Sequence, residues 1–268
     1  MSLRKRFPTA LILLALLFSV IQWTSPLVFF LLLQAFILVA LVEFYNIARK
    51  KKLYPRLEVG VPTAILISVS FFFKEISLEM ALFGGLLWAG IYFFINLNTI
   101  EKVVHYPSSL SITIFGVIYL SFTMNFLYPL RTEYGPFYIY FLFAVIFLGD
   151  SGAYFLGKLF GRHKMAPMAS PKKTWEGSFG GILFAVLGAL AAQQVWLKEI
   201  SLLQASLCGA FVHAVAQISD PIESLFKRAV GIKDSSNILP GHGGFLDRID
   251  SFIFAAPFFY YFIKIFWK

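Results

Sequence analysis

The sequence predicts an all-α integral membrane protein with about nine transmembrane helices and a polar cavity in its C-terminal part. Of its 268 residues, 59% are hydrophobic and only 14% are charged, whereas about a quarter of the residues of a soluble domain are charged. Apolar runs of about 20 residues recur along the chain, and each is long enough to cross a ~30 Å hydrocarbon core. These observations leave no soluble domain of useful size.

Nine apolar runs are candidate spans. They cover residues 8–23, 26–48, 59–73, 78–97, 109–129, 136–157, 178–197, 202–226 and 245–266. The first follows a basic start, as in a signal peptide, but no A-x-A-like cleavage site follows it. We therefore interpret it as an uncleaved first helix.

The distribution of basic residues predicts the orientation. With the N-terminus in the cytoplasm, 18 Lys and Arg residues fall in cytoplasmic segments and five fall outside. This asymmetry follows the positive-inside rule, so the N-terminus is expected inside and the C-terminus outside. Much of the net charge of +9 is thereby explained without a nucleic-acid partner. A bacterial inner membrane, with the basic loops facing the cytoplasm, is the expected location.

Ionisable residues are unevenly distributed along the chain, which we expect to form a single membrane bundle. Residues 1–135 hold about five spans with few ionisable groups, and we interpret them as hydrophobic scaffold. Glu43 and Glu79 are exceptions that lie near span ends, where we expect them to be solvated. Residues 136–268 hold the catalytic spans and the polar loops. The single cysteine, Cys208, excludes an intrachain disulfide, and no Cys/His cluster indicates zinc.

Charged residues inside the apolar spans are unexpected and need a physical explanation. A charge at a helix centre costs about 2.5–3.5 kcal/mol on insertion scales, so a group of them implies a water-filled cavity, internal pairing or a bound cation. The residues concerned are Asp150 in the sixth span, Asp220 in the eighth, and Asp247, Arg248 and Asp250 at the start of the ninth.

The eighth span places polar residues on one face. His213, Gln217, Asp220 and Ser224 follow helical spacing. For His213 and Gln217 we expect hydrogen bonds between helices. Asp150 is equally compatible with pairing to a nearby lysine and with a functional role. Asp220 and Asp247 have no obvious partner in the sequence and suit Mg²⁺, which takes one or two carboxylates plus phosphate oxygens.

The loops supply positive charge and backbone donors. Ser170, Lys172 and Lys173 precede the seventh span, and Lys227, Arg228 and Lys233 follow the eighth. Gly241, His242, Gly243 and Gly244 precede the ninth. Glycines let backbone amides approach an anion, and a helix N-terminus adds its positive dipole. Together with a carboxylate-bound metal, these groups predict a polyphosphate site.

These stretches resemble a known family. The signature runs Ser224-Leu225-Phe226-Lys227-Arg228, then Lys233-Asp234, Ser236 and Leu239-Pro240, then His242-Gly243-Gly244-Phe245-Leu246-Asp247-Arg248-Ile249-Asp250. It resembles that of CDP-diacylglycerol synthases, or phosphatidate cytidylyltransferases, without departure. Gly149-Asp150-Ser151-Gly152-Ala153-Tyr154 and Ser170-Pro171-Lys172-Lys173-Thr174 with Glu176-Gly177 also look like that family's. The resemblance covers roughly residues 148–251.

The resemblance implies a homodimer that joins phosphatidic acid to CTP, with a cavity open to cytoplasm and lipid. It implies Mg²⁺, in uncertain number, bound by Asp220 and Asp247. The expected catalytic residues are Asp220, Asp247, Lys227, Arg228 and Asp150. The expected substrate-binding residues are Ser170, Lys172, Lys173, Lys233, His242, Gly243, Gly244 and Arg248.

Two other functions stay open at this point. Intramembrane Asp and His residues also occur in transporters. A related cytidylyl- or phosphotransferase that acts on a polyprenol or an archaeal lipid would carry similar motifs. A CDP-alcohol phosphotransferase is disfavoured, because its D-G-x-x-A-R motif is missing from the sequence.

Overall fold

The computed structural model describes residues 15–236 and 243–267, and this part of the chain is predominantly helical. Its helices are α1 (15–23), α2 (Pro26–Lys50), α3 (Leu57–Phe72), α4 (Leu78–Asn96), α5 (Ile100–Gly116), α6 (Leu127–Pro129), α7 (Pro136–Phe160), α8 (Trp175–Trp196), α9 (Leu202–Ala229) and α10 (Leu246–Phe266). Within the described ranges, seven helical segments are long and apolar enough to cross a membrane, and α3 is a shorter apolar helix. The predicted all-α membrane class is confirmed, whereas the number of spans and their orientation stay predictions.

The fifth predicted span begins earlier than expected. Helix α5 starts at Ile100 because the Thr99 side chain accepts a hydrogen bond from the Lys102 N–H at 3.4 Å. It continues through a π-helical segment, Val117–Phe122, and a second π-helical turn covers Leu130–Tyr134. The polar start of this helix shows no apolar run, which explains why hydropathy placed its beginning at residue 109.

The connection between α7 and α8 forms a hairpin that the sequence did not predict. Strand β1 (Lys164–Ala166) pairs antiparallel with β2 (Ser170–Thr174). Glu176 fastens the hairpin, because its carboxylate accepts the backbone N–H of Arg162 at 3.0 Å and contacts the His163 ring. The Thr174 side chain caps α8 by accepting the Gly177 N–H.

The chain divides into two compact units. The first comprises residues 1–128 and 234–248, and the second comprises 129–233 and 249–268. The assignment of residues 1–135 as scaffold and 136–268 as catalytic concerns function and stays a prediction.

Helices of the first unit are joined by buried polar groups. The Gln34 side chain donates to Asn125 at 2.8 Å, and Asn125 donates to the Ser68 hydroxyl at 2.9 Å. The Tyr45 hydroxyl donates to the Thr113 carbonyl at 2.7 Å. In an apolar bilayer, hydrogen bonds of this kind help to hold helices together.

Helices of the second unit approach through small residues. A Cβ at Gly177 would lie 2.8 Å from the Ala153 carbonyl and 3.0 Å from the Gly157 Cα. The backbones of α7 and α8 therefore nearly touch here, as in small-residue crossings of membrane helices. This crossing fixes the hairpin against the end of α7.

Candidate active site

Lys173 and Asp220 form an ion pair in the second unit. The Lys173 ammonium lies 2.7 Å from Asp220 Oδ2, and both side chains are about 30% exposed. The Ser224 hydroxyl donates to Asp220 Oδ1 at 3.2 Å. The expectation that Asp220 lacks a partner is therefore wrong, because strand β2 carries Lys173 to this carboxylate. Successive strand residues point to opposite faces, and neighbouring Lys172 is exposed.

Two further aspartates interact electrostatically with this pair. Asp150, on α7, interacts electrostatically with Lys173 and Asp220 and hydrogen bonds with Ser251. Asp250, on α10, interacts electrostatically with Asp220. The Ser219 hydroxyl donates to the Asp250 backbone carbonyl. Four segments of the second unit, α7, β2, α9 and the part of α10 from residue 249, thus contribute interacting charged residues.

A second ion pair is more deeply buried. The Lys227 ammonium lies 2.6 Å from Glu223 Oε2, one helical turn earlier on α9. The side chains of Lys227 and Glu223 are only 10% and 1% exposed. Asp250 interacts electrostatically with both residues. Sequence analysis missed Glu223, although the i,i+4 spacing to Lys227 was a usable signal.

These residues define an acidic–lysine cluster: Asp150, Lys173, Asp220, Glu223, Lys227 and Asp250. Its four carboxyl groups outnumber its two ammonium groups when all are ionised. This donor set fits a divalent cation shared with substrate phosphates, since Mg²⁺ binds one or two carboxylates and phosphate oxygens. It does not fit an all-protein cage, because no group of three or more His, Cys, Asp or Glu side chains suited to holding a metal occurs in the described ranges.

Gln217 forms the predicted hydrogen bond between helices, whereas His213 does not. The Gln217 amide donates to the Ser178 carbonyl at 3.1 Å and accepts the Ser178 hydroxyl, so the predicted bond between helices is confirmed. His213 is fully buried, and within the described part of the chain neither ring nitrogen has a hydrogen-bond partner. The predicted hydrogen bond between helices is therefore wrong for His213. The imidazole instead packs against Gly149 and Gly181, where a Cβ would lie within 2.7 Å of the ring.

The predicted glycines and Asp247 lie in the first unit. We call residues 234–236 and 243–245 the signature loop. The Asp247 carboxylate accepts the N–H groups of Ser235 at 3.0 Å and Gly244 at 2.9 Å. Gly243 has φ +83°, a left-handed conformation that favours glycine. A Cβ at Gly244 would lie 1.7 Å from the Ser235 hydroxyl oxygen, so only glycine permits this approach.

Glu43, on α2, holds the same loop and was missed. The expectation that it is solvated is wrong, because it is only 2% exposed. Its carboxylate accepts the Phe245 N–H at 3.0 Å, the Leu246 N–H at 2.7 Å, and the hydroxyls of Ser235 and Ser236. A carboxylate within an apolar run was itself a signal for a functional site, but its partners lie far along the chain.

The remaining predicted residues are dispersed. Lys233, Arg228 and Arg248 are exposed, and Ser170 is half-buried. Arg228 donates to the carbonyls of Ala169 and Ile232 at 3.4 and 3.3 Å. His242 lies outside the described residues. The substrate contacts expected of all of these residues, and of Lys172, stay predictions.

Comparison with known proteins gives one consistent family. The model of the cytidylyltransferase family matches residues 4–266. The chain is 30% identical to the phosphatidate cytidylyltransferase of Haemophilus influenzae, over 97% of this chain and 98% of that protein.

Two other relatives match over a shorter length. The phosphatidate cytidylyltransferases of Bacillus subtilis and Staphylococcus epidermidis are 42% and 44% identical, over 56% and 53% of this chain. These alignments span 57% and 54% of those proteins, little more than half their length. The family model, in contrast, covers nearly every residue from the first span to the last helix. The chain therefore belongs to the cytidylyltransferase family.

Proposed function

We propose that this chain is a phosphatidate cytidylyltransferase, an enzyme that joins phosphatidic acid to CTP. A phosphate oxygen of phosphatidic acid attacks the α-phosphorus of CTP. The new P–O bond gives CDP-diacylglycerol, and the bond between the α- and β-phosphates breaks to release pyrophosphate. The acidic–lysine cluster carries the proposal, because it combines cations for phosphate with carboxylates for a divalent metal.

The reaction needs charge neutralisation more than proton transfer. The lipid phosphate has a second pKa of about 6–7, by analogy with other phosphomonoesters, and is largely dianionic at neutral pH. A general base is therefore unnecessary, but an anion must approach a polyanionic nucleotide. In the proposal, Lys173 and Lys227 hold phosphate oxygens and fix the two substrates in line.

We propose Mg²⁺ as the bound cation, because carboxylate oxygens are among its preferred ligands. Asp220 and Asp247 are each proposed as a ligand for Mg²⁺, and Lys173 would neutralise the Asp220 carboxylate, which lies 2.7 Å from its ammonium. When bound, the cation would stabilise negative charge on the phosphates and on departing pyrophosphate. Asp150 and Asp250 would keep the surroundings of Asp220 negative and favour that cation.

The reaction is tested by incubating purified protein with α-labelled CTP and phosphatidic acid micelles, with Mg²⁺ or with EDTA. We expect label in the lipid phase and release of pyrophosphate only with the metal. Labelling that survives EDTA would reject the metal requirement. Labelling of a polyprenyl phosphate but not of phosphatidic acid would change the acceptor. If no lipid phosphate were labelled, the enzyme proposal would fail, and flux assays in vesicles would test transport.

We also propose that the N-terminus and the site face the cytoplasm of a bacterial cell. The native Cys208 is buried, so introduced cysteines can report sidedness. We expect Lys198→Cys, between α8 and α9, to react with an impermeant maleimide in intact cells. Lys51→Cys, after α2, should react only after permeabilisation, and the unsubstituted chain should stay unlabelled. The reverse pattern would invert the proposed topology.

The proposed assembly is a homodimer. Light scattering from the detergent-solubilised protein, after subtraction of bound detergent, measures its mass directly. A mass of twice 30.3 kDa is expected, and a monomeric mass under conditions that preserve activity would reject the dimer.

A further inference from the structure

We infer that Glu43 is a positioning residue for this reaction, acting through the signature loop on Asp247. The inference rests on the proposed function. Glu43 lies on α2, outside residues 148–251, where the recognisable motifs occur. Its acceptor atoms are occupied by groups of the loop and the start of α10, so its role is to hold these segments.

The Glu43 carboxylate is surrounded by hydrogen-bond donors. An ionised carboxylate offers about four acceptor sites, and four donors reach Glu43. Two are the backbone N–H groups of Phe245 and Leu246, at 3.0 and 2.7 Å. Leu246 opens α10, and the first N–H groups of a helix lack partners within it and carry partial positive charge. Glu43 thus supplies the cap of α10 from another helix, which compensates the burial of its own charge.

Asp247 also binds the signature loop. The Ser235 hydroxyl lies 3.2 Å from Glu43 Oε2 and 3.1 Å from Asp247 Oδ2. Because it has one proton, it donates to one carboxylate at a time. Ser235 N–H and Gly244 N–H bind Asp247, while the Ser236 hydroxyl binds Glu43. The two carboxylates therefore clamp both ends of the described loop, and the position of Asp247 depends on Glu43.

Replacing one Glu43 carboxylate oxygen by an amide nitrogen should disturb these hydrogen bonds while keeping the volume of the side chain. Each Glu43 oxygen accepts one backbone N–H, from Phe245 at Oε1 and from Leu246 at Oε2. In Glu43→Gln, the amide NH₂ would therefore oppose a backbone donor whichever way the amide turned. We expect kcat to fall on the order of 100-fold, the effect of displacing a reacting group by about 1 Å. The fall in kcat should exceed any rise in the KM for CTP, because Glu43 acts on Asp247 through the loop and itself touches no substrate. Glu43→Asp, which keeps both oxygens, should recover part of kcat.

The matched control is Glu79→Gln, on α4 of the same unit. Glu79 is exposed, and its sequence context suggested the same solvated role as that of Glu43. This variant should retain the kcat, KM and melting temperature of the parent.

A second readout does not depend on the reaction. Amide hydrogen exchange over residues 243–250 should accelerate in Glu43→Gln and be unaltered in Glu79→Gln. A lowered kcat with faster exchange supports the positioning role. Unchanged kcat, a change confined to KM, or a lowered kcat with unaltered exchange overturns it. If Glu43→Gln does not fold, Glu43→Asp is judged by the same two measurements. An inactive parent protein would reject the proposed function, whereas exchange would still test the clamp.

Discussion

Asp220→Asn should reduce turnover by about 10²–10³-fold, the loss seen when a preorganised charge-stabilising group is removed. Asparagine keeps the volume of the side chain and an oxygen that can accept from Ser224. It removes the negative charge that faces Lys173 at 2.7 Å and that would bind the cation. The measurement is lipid labelling from α-labelled CTP, at saturating concentrations of both substrates.

The folded state should survive this change. Lys173 and Asp220 are each about 30% exposed, so water can solvate the lysine that is left without its partner, unlike a charge left fully buried. The control is Glu199→Gln, which removes an exposed carboxylate from the same unit and should leave turnover unaltered. Near-parental turnover in Asp220→Asn would remove Asp220 from the metal and catalytic assignments.

Glu223→Gln should have the largest effect on stability. Removing one partner of a buried ion pair typically costs about 3–5 kcal/mol, because the other charge stays buried. Here Lys227 is only 10% exposed and Glu223 only 1% exposed. We expect a clear fall in the melting temperature of the detergent-solubilised protein and a fall in activity.

A double variant separates stability from catalysis. In Glu223→Gln/Lys227→Met both charges are gone, so the melting temperature should recover toward that of the parent. Activity should not recover, because Lys227 is one of the two lysines assigned to the phosphate oxygens. Recovery of both quantities would show that Lys227 serves the fold alone. Equal melting temperatures for the parent and Glu223→Gln would contradict the buried pair.

The helices were largely predictable, because each buries or presents an apolar surface that is continuous in sequence. The run at residues 26–48 became α2, Pro26–Lys50, and the run at 136–157 became α7, Pro136–Phe160. The hairpin was not predictable in the same way. Its strands are short and polar, and their pairing depends on Glu176 fastening the residues that follow α7. Hydropathy carries no information about such a bond.

The candidate site was predictable in composition but not in pairing. Motifs identified Asp150, Lys173, Asp220 and Lys227, and the structure gathers these four in one unit. Local spacing could have revealed Glu223, since it lies one turn from Lys227 on α9. No local pattern connects Lys173 to Asp220, because separate elements carry them. The partners of Glu43 were equally inaccessible, since they come from a loop near the other end of the chain.

The capping of α10 by Glu43 also has a consequence for biosynthesis. Glu43 and Leu246 are 203 residues apart, so at 5–20 residues per second the ribosome needs roughly 10 to 40 s to deliver the partner. During that interval α2 carries a carboxylate whose final donors do not yet exist, and a charge within a span costs about 2.5–3.5 kcal/mol. The nascent chain must therefore keep this part of α2 hydrated, or shielded by the insertion machinery, until its last helix is made.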